Sequence, residues 1–260
     1  SIDHTGVTEV VFAINYQPEG MMKQLEILEK KYKVKITCSL EDEPLGTAGP
    51  IRLAKDIILK DNTDDLLFVF NSDVICHYPL DKMVDFHKSH GKQGTIMVTE
   101  VEDPTKYGVV VADANNKIER FVEKPQKFIS NKINAGLYLF NTSMIDRIPT
   151  KPTSIEREIF PAMSNEGEIF QMVLPGYWMD IGQPKDYLSG QKLYLSSQQE
   201  QRTGILATGE NIVGNCIVHP TAVIDPEAII GPNTVIGEGC KVAAGSKVSN
   251  STLLAGSKVG

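Results

Sequence analysis

Apolar side chains change their spacing along this chain, and each spacing predicts a different element. Val7–Ile14 (VTEVVFAI) is nearly continuous in apolar residues and predicts a buried strand. Met21, Leu25, Leu28 and Tyr32 recur at three- and four-residue steps, which predicts a helix from about Glu19 to Lys31. Val34–Cys38 predicts a short strand. After the loop Glu41–Gly49, Pro50 suits the first turn of a helix running towards Leu59, where its missing N–H is not needed. Leu66–Phe70 (LLFVF) predicts the most buried strand, ending at Asn71-Ser72-Asp73. A helix over Leu80–Ser89 and a strand over Gly94–Val101 follow. This alternation predicts an α/β fold with a mostly parallel sheet sandwiched by helices.

Beyond about residue 205 the period becomes six. Stepping by six from Ile212 meets Val218, Ile224, Ile230, Ile236, Val242, Val248 and Leu254. Two residues before each stand Glu210, Cys216, Ala222, Ala228, Thr234, Cys240, Ser246 and Thr252, all small except the first. One aliphatic and one small residue in every six predict short strands wound into a triangular parallel β-helix. The aliphatic fills the interior and the small residue fits near the corner. Cys216 and Cys240 are then corner residues rather than ligands, and His219 is a turn residue rather than a base. The chain divides into an α/β domain over 1–195, a linker over 196–210 whose polar opening Ser196–Arg202 reads as a helix end or linker, and a solenoid over 211–260.

Composition sharpens that division. Residues 211–260 hold six charged side chains against 53 in the 210 before them, and the last aromatic residue is Tyr194. The net charge is −7, which argues against a general nucleic-acid binder with its basic face. Anionic small substrates would need a local cation. No apolar run approaches the ~18 residues of a membrane span. Cys38, Cys76, Cys216 and Cys240 have neither paired metal spacing nor a disulfide framework, as expected of a reduced, cytoplasmic protein. The opening Ser-Ile-Asp-His has no initiator Met and no signal peptide, and the chain is expected to be a fragment.

Candidate chemistry gathers at strand ends. Asp73 stands three residues beyond LLFVF, where ligands of open parallel sheets collect. An accessible carboxylate there is a hard ligand for Mg²⁺, and equally a helix-capping residue. Asp180 lies in GYWMDIGQP (Gly176–Pro184), a second carboxylate or a cap for a helix beginning near Pro184. In Pro44-Leu-Gly-Thr-Ala-Gly49 small residues precede a helix, so exposed N–H groups can receive a phosphate or the edge of a base. It lacks the Gly-Lys-Ser/Thr ending of a Walker loop. Glu123-Lys124-Pro125 closes a strand over Lys117–Val122 and projects Lys124 towards a phosphate dianion or into an exposed salt bridge. Asn134-Ala-Gly-Leu-Tyr-Leu-Phe140 places an amide at a strand entrance.

In this order the segments resemble the sugar-phosphate nucleotidyltransferases, most closely GDP-mannose pyrophosphorylases (mannose-1-phosphate guanylyltransferases) of the eukaryotic catalytic type. The resemblance covers essentially all 260 residues. It is carried by EPLGTAGP (Glu43–Pro50), NSDVI (Asn71–Ile75), KYGVVV (Lys106–Val111), FVEKP (Phe121–Pro125), NKINAGLY (Asn131–Tyr138), PTSIE (Pro152–Glu156), WMDIGQPKDY (Trp178–Tyr187) and the hexapeptide tail. It implies a Rossmann-like, mostly parallel sheet followed by a left-handed parallel β-helix. It also implies Mg²⁺ on Asp73 and Asp180, and a catalytic set of Asp73, Lys124 and Asp180. Nucleotide-binding positions would be Pro44, Leu45, Gly46, Thr47, Asn71 and Asp73. Sugar-phosphate positions would be Gly108, Glu123, Asn134 and Asp180, with Lys124 on the phosphate. The implied reaction joins mannose 1-phosphate to GTP, giving GDP-mannose and pyrophosphate. The implied assembly is a homo-oligomer, or a hetero-oligomer with a homologous regulatory subunit, through the β-helix.

The family's Gly-Gly-x-Gly-Thr-Arg-Leu loop and its Lys-Pro pair have no match in residues 1–40, and the solenoid stops at Val259-Gly260. Residues 1–260 alone are therefore expected to be poorly active. Three other readings stay in play. One is a pyrophosphorylase for another pair, such as glucose 1-phosphate with ATP, dTTP or UTP. Another is an acyltransferase, for which the tail offers only His219. The third is a regulatory subunit that senses nucleotide sugar, which would have no need of both aspartates.

Overall fold

The computed structural model describes residues 6–16 and 19–260. The opening Ser-Ile-Asp-His lies outside the described residues. The chain forms two compact units, one of residues up to Asn71 and Tyr78–Leu174, the other of Ser72–His77 and Pro175–Gly260. The second unit thus takes a six-residue piece from the middle of the first, and it begins well before the sequence boundary at 195.

In chain order the first part runs β1 (Glu9–Ile14), α1 (Glu19–Tyr32), β2 (Lys35–Leu40), α2 (Gly49–Leu53), α3 (Lys55–Leu59) and β3 (Leu66–Phe70). Next come β4 (Val74–Cys76), which belongs to the second unit, α4 (Leu80–His90), β5 (Gly94–Glu100), β6 (Gly108–Ala112) and β7 (Ile118–Glu123). Then follow β8 (Lys132–Asn141), α5 (Phe160–Glu166), β9 (Ile169–Val173), β10 (Trp178–Asp180) and α6 (Pro184–Glu200), the last two in the second unit. The helix expected from Pro50 to Leu59 is two short ones. Ala54 leaves the helical region between them, and Arg52 and Lys55 on either side both pair with Asp146.

β1 and β2 pair in parallel, whereas the main sheet is mixed. Strand β8 is antiparallel to β3, β5 and β6, β6 is antiparallel to β7, and β5 is parallel to β9. By direction the sheet is mostly parallel, since β3, β5, β6 and β9 point one way and β7 and β8 the other. By neighbour it is mostly antiparallel. Connection length explains one of these pairs: parallel neighbours need a crossover of about a dozen residues or more, and the short turn after β6 allows only a hairpin with β7. In that turn the Asp113 carboxylate accepts the Asn115 and Lys117 N–H groups at 2.8 and 2.9 Å, and Asn116 takes a left-handed backbone.

The core lies around β5 and β8, not around LLFVF. Ala135–Phe140 and Gly94–Thr99 are buried throughout, while β3 is only half-buried and its Phe70 is 42% exposed. Tyr138, Phe140 and Phe160 pack with Phe121, their ring centroids 5.1–6.3 Å apart. Helix α4 is tied to this sheet by a one-way chain of hydrogen bonds. The Lys92 N–H donates to His90 Nδ1 at 3.0 Å, which places the proton of neutral His90 on Nε2. Nε2 then donates to Thr95 Oγ1 at 2.8 Å, and the Thr95 hydroxyl donates to His87 Nδ1 at 2.8 Å. His87 Nε2 donates to Asn141 Oδ1 at 3.3 Å, and the Asn141 amide donates to Asp65 at 3.1 Å. Burial holds both histidines below the usual histidine range, His90 at about 4.

In the second unit β4 and β10 form an antiparallel pair. Helix α6 continues through Ser196–Glu200, so of the two readings of that polar stretch it is the helix end; it has no glycine or proline to stop it. Its buried Gln191 donates to the carbonyls of Asn233 and Ser251 at 2.9 and 3.2 Å and accepts from the Thr252 hydroxyl. The tail is built of β11 (Cys216–Val218), β12 (Val223–Ile224), β13 (Ile229–Ile230), β14 (Thr234–Ile236), β15 (Lys241–Val242), β16 (Lys247–Val248), β17 (Thr252–Leu253) and β18 (Lys258–Val259). They stack in three parallel sheets, β11-β14-β17, β12-β15-β18 and β13-β16. Three strands per coil follow from a period of six.

Ile212 faces Ile230, Val218 faces Ile236, Ile224 faces Val242 and Ile230 faces Val248. The period then slips. Ile236 faces Leu253 and Val242 faces Val259, so Leu253 is the inward residue, and Leu254, the expected one, is 71% exposed. Cys216, Ala228, Thr234 and Cys240 are fully buried beside the aliphatics. His219 stands in a turn, its Nδ1 accepting the Thr221 N–H at 3.3 Å.

Candidate active site

The two aspartates converge in the second unit. Asp180 ends β10 and Asp73 immediately precedes β4, and the register pairs Asp180 with Val74. The Ile181 N–H donates to the Asp73 carbonyl at 2.7 Å, so the chain after β10 runs beside Asp73. Gly182 sits in the crook: a Cβ there would lie 3.2 Å from Asp180 Oδ1 and 3.2 Å from Asp73 Oδ2. The two oxygens are therefore within about 6.4 Å of each other, twice that distance. The space between them exists because residue 182 has no side chain. Neither aspartate caps a helix, since Pro79 stands at the start of α4 and Gln183 at the start of α6. Among the described residues no group of three His, Cys, Asp or Glu side chains could hold a metal ion. Two carboxylates suit Mg²⁺, which keeps waters and takes substrate phosphates as its remaining ligands.

In the first unit the loop Pro44–Gly49 is docked on the segment Thr153–Glu156. The Ala48 N–H donates to the Thr153 carbonyl, and the Thr153 N–H to the Leu45 carbonyl, each at 2.9 Å. Gly46 has φ +75, and a Cβ on it would lie 2.5 Å from the Thr153 carbonyl oxygen, so both its conformation and its closeness demand glycine. The Thr47 hydroxyl donates to Glu156 Oε2 at 2.6 Å and accepts the Ile155 N–H at 2.9 Å. Pro44, Gly46 and Thr47 are exposed, and Leu45 is half-buried.

Gly108 and Glu123 are register partners on β6 and β7. A Cβ on Gly108 would meet Glu123 Oε2 at 2.9 Å. Lys124 has φ +45, a left-handed backbone in a residue with a Cβ, and its N–H donates to the Tyr107 carbonyl at 3.2 Å. Such conformations cost of order 1–3 kcal/mol and concentrate at functional sites. The Lys124 ammonium is exposed, 3.8 Å from the Glu123 carboxylate. Burial raises the Glu123 pKa, the nearby Glu156 carboxylate raises it further, and Lys124 and Arg157 oppose them.

Asn134 lies inside β8 rather than at its entrance. Its amide donates to the Tyr138 hydroxyl at 2.8 Å and its carbonyl accepts the Gly136 N–H at 3.0 Å, where the β5–β8 register slips. Gly136, at φ +75, in turn receives the Asn71 side chain, and the Asn71 N–H donates to its carbonyl at 2.8 Å. So β8 brings Asn71 and Asn134 together, and β6–β7 brings Gly108, Glu123 and Lys124 together. Sequence reasoning missed Glu156 as a site residue. PTSIE was visible as a motif, but its contact with Thr47 joins residues about a hundred positions apart.

A docked glycine loop ahead of a helix and a carboxylate pair at a strand end are the equipment of phosphate chemistry. Residues 2–197 match the nucleotidyl transferase family, and the chain belongs to it. Residues 212–260 match the GMPPB C-terminal domain. At finer grain the chain is similar to probable mannose-1-phosphate guanylyltransferase 1 of Oryza sativa, with 57% identity over 86% of this chain. The mannose-1-phosphate guanyltransferase of Saccharomyces cerevisiae is 54% identical over 85% of it, and the mannose-1-phosphate guanylyltransferase catalytic subunit beta of Drosophila melanogaster 54% over 84%. The chain spans 58–62% of the length of these curated relatives. Among solved structures it is similar to HddC from Yersinia pseudotuberculosis, at TM-score 0.59 and 26% identity over 72% of this chain and 79% of that one. A second structure of HddC, complexed with GMP-PN, matches at TM-score 0.58.

Proposed function

We propose that the protein carrying this chain is a mannose-1-phosphate guanylyltransferase that makes GDP-mannose and pyrophosphate from GTP and mannose 1-phosphate. The observation that carries the reading is the convergence of Asp73 and Asp180 on the space above Gly182. The identity of the nucleotide and sugar comes from relatives 54–57% identical to it. In the reaction one phosphate oxygen of mannose 1-phosphate attacks the α-phosphorus of GTP. A new P–O bond forms, the bond to the β-phosphate bridging oxygen breaks, and its electron pair leaves on pyrophosphate.

The phosphate monoester is already anionic, so the chain needs no base for it; the barrier is repulsion between two polyanions. Lys124 binds the sugar phosphate, each charge-assisted hydrogen bond contributing ~1.5–3 kcal/mol. Glu123, Gly108 and Asn134 orient the sugar, and Asn71 with the Pro44–Thr47 loop receives the nucleotide. Asp73 and Asp180 are the ligands for Mg²⁺, which when bound supplies charge neutralisation at the phosphates. The tail is read as a left-handed β-helix that mediates assembly, with a second copy or a homologous regulatory subunit. The setting is the cytoplasm; no helix of the described residues is long and apolar enough to cross a membrane.

The test is pyrophosphate release by the full protein, with GTP and mannose 1-phosphate compared against ATP, dTTP or UTP with glucose 1-phosphate. Asp180→Asn should lower turnover by about a hundredfold, the ~3 kcal/mol expected of a lost metal ligand. Undiminished guanylyl transfer by that variant would refute the metal assignment.

A further inference from the structure

We propose that Glu156 is a positioning residue, latching the Pro44–Gly49 loop through Thr47 and so holding two free backbone N–H groups where the nucleotide meets them. The inference rests on the guanylyltransferase reading for its ligand, and on bonds within the first unit for its geometry. Of the loop's donors, the Leu45 N–H goes to Glu41 Oε2 at 3.0 Å and the Ala48 N–H to the Thr153 carbonyl at 2.9 Å. Among the described residues, the Gly46 and Thr47 N–H groups take no protein partner, and both residues are exposed. Two adjacent unpaired amides are a receptor for an acceptor-rich ligand edge.

What fixes them is Thr47, and what fixes Thr47 is Glu156. The Thr47 hydroxyl is committed twice, donating to Glu156 Oε2 at 2.6 Å and accepting the Ile155 N–H at 2.9 Å. That side chain is therefore part of the support, and only the backbone of Thr47 is left for a ligand. Glu156 is anchored from its own side, its Oε2 also accepting from the Ser154 hydroxyl at 2.9 Å. The carboxylate accepts two hydroxyls on one oxygen, a task a glutamine amide oxygen can also perform.

The experiment measures KM for GTP and for mannose 1-phosphate separately in the full protein. Glu156→Ala should raise KM for GTP about tenfold, the loss of one well-placed hydrogen bond, with KM for mannose 1-phosphate within about twofold of wild type. Glu156→Gln should restore it to within about threefold, a rescue that a merely structural carboxylate would not give. Thr47→Val, which also loses the Ile155 bond, should be at least as severe as Glu156→Ala, Thr47→Ser should stay near wild type, and the double variant Thr47→Val with Glu156→Ala should be no worse than Thr47→Val alone, as for one shared interaction. Effects that multiply, or a rise confined to KM for mannose 1-phosphate, overturn the latch. If the wild type transfers no guanylyl group, the functional reading fails by itself. The latch is then judged by amide exchange at Ile155 and Ala48, expected about tenfold faster in Glu156→Ala and Thr47→Val; unchanged exchange overturns it.

Discussion

Single residues here carry backbone conformations that only local chemistry explains. Lys124 keeps a left-handed φ of +45 although a Cβ opposes it, and Gly182 leaves open the space that any side chain would fill. If Lys124 is retained for its ammonium, a residue that tolerates the left-handed region should fold as well and work less well. Lys124→Asn is expected to leave the melting temperature within about 2 °C, since asparagine visits that region more readily than other L-residues. The same variant should raise KM for mannose 1-phosphate more than tenfold, because a charge-assisted bond of ~1.5–3 kcal/mol is lost. Thermal melts and steady-state kinetics on one preparation decide it; a marked loss of stability with normal kinetics would make Lys124 a structural residue.

At the scale of elements, the hydrogen-bond chain from Lys92 through His90, Thr95, His87 and Asn141 to Asp65 joins α4, β5 and β8 and requires both histidines neutral. Their pKa values are lowered by folding, His90 to about 4. Below the ordinary histidine value of 6.5 the unfolded chain takes up protons that the folded one refuses. The stability they contribute is present above pH 6.5 and is lost as pH falls from there through about 4. The charged groups facing His90 are Glu168 and Lys92, and Asp65 faces His87. The lowered carboxylates Glu9, Asp65, Asp103, Asp146 and Glu166 start from 4.5, 3.8, 3.8, 3.8 and 4.5 and act lower still. Melting temperatures should fall between pH 6.5 and 4.5, and His90→Gln should flatten that slope; an unchanged slope would show that His90 is not its source. Elements were legible where periodicity was strong, as in α1, β3 and α4. The antiparallel insertion of β8 was not, because β8 pairs with β3 and β5, strands far away in sequence, and apolar spacing along one segment does not encode its distant partners. Nor was the half-burial of β3, since LLFVF reads as buried whatever lies on its two faces.

For the molecule as a whole, the six-residue period reveals the solenoid but not its exception. A slip of one residue between Ile236 and Leu253 turns Leu253 inward and Leu254 outward. Leu253→Ala should therefore cost about 1–2 kcal/mol and lower the melting temperature by several degrees, while Leu254→Ala should change it by less than about 1 °C. Equal losses would restore the unbroken period. The candidate residues were legible by type and order, whereas Glu156 emerged only with the fold. The segment Ser72–His77 has a consequence in time. It belongs to the second unit, yet its partner strand β10 is translated about a hundred residues later. At ~5–20 residues per second a ribosome needs roughly 5–20 s to cover that stretch. During that interval the nascent chain holds Asp73 without Asp180, so the carboxylate pair can form only after every strand of the main sheet has been synthesised.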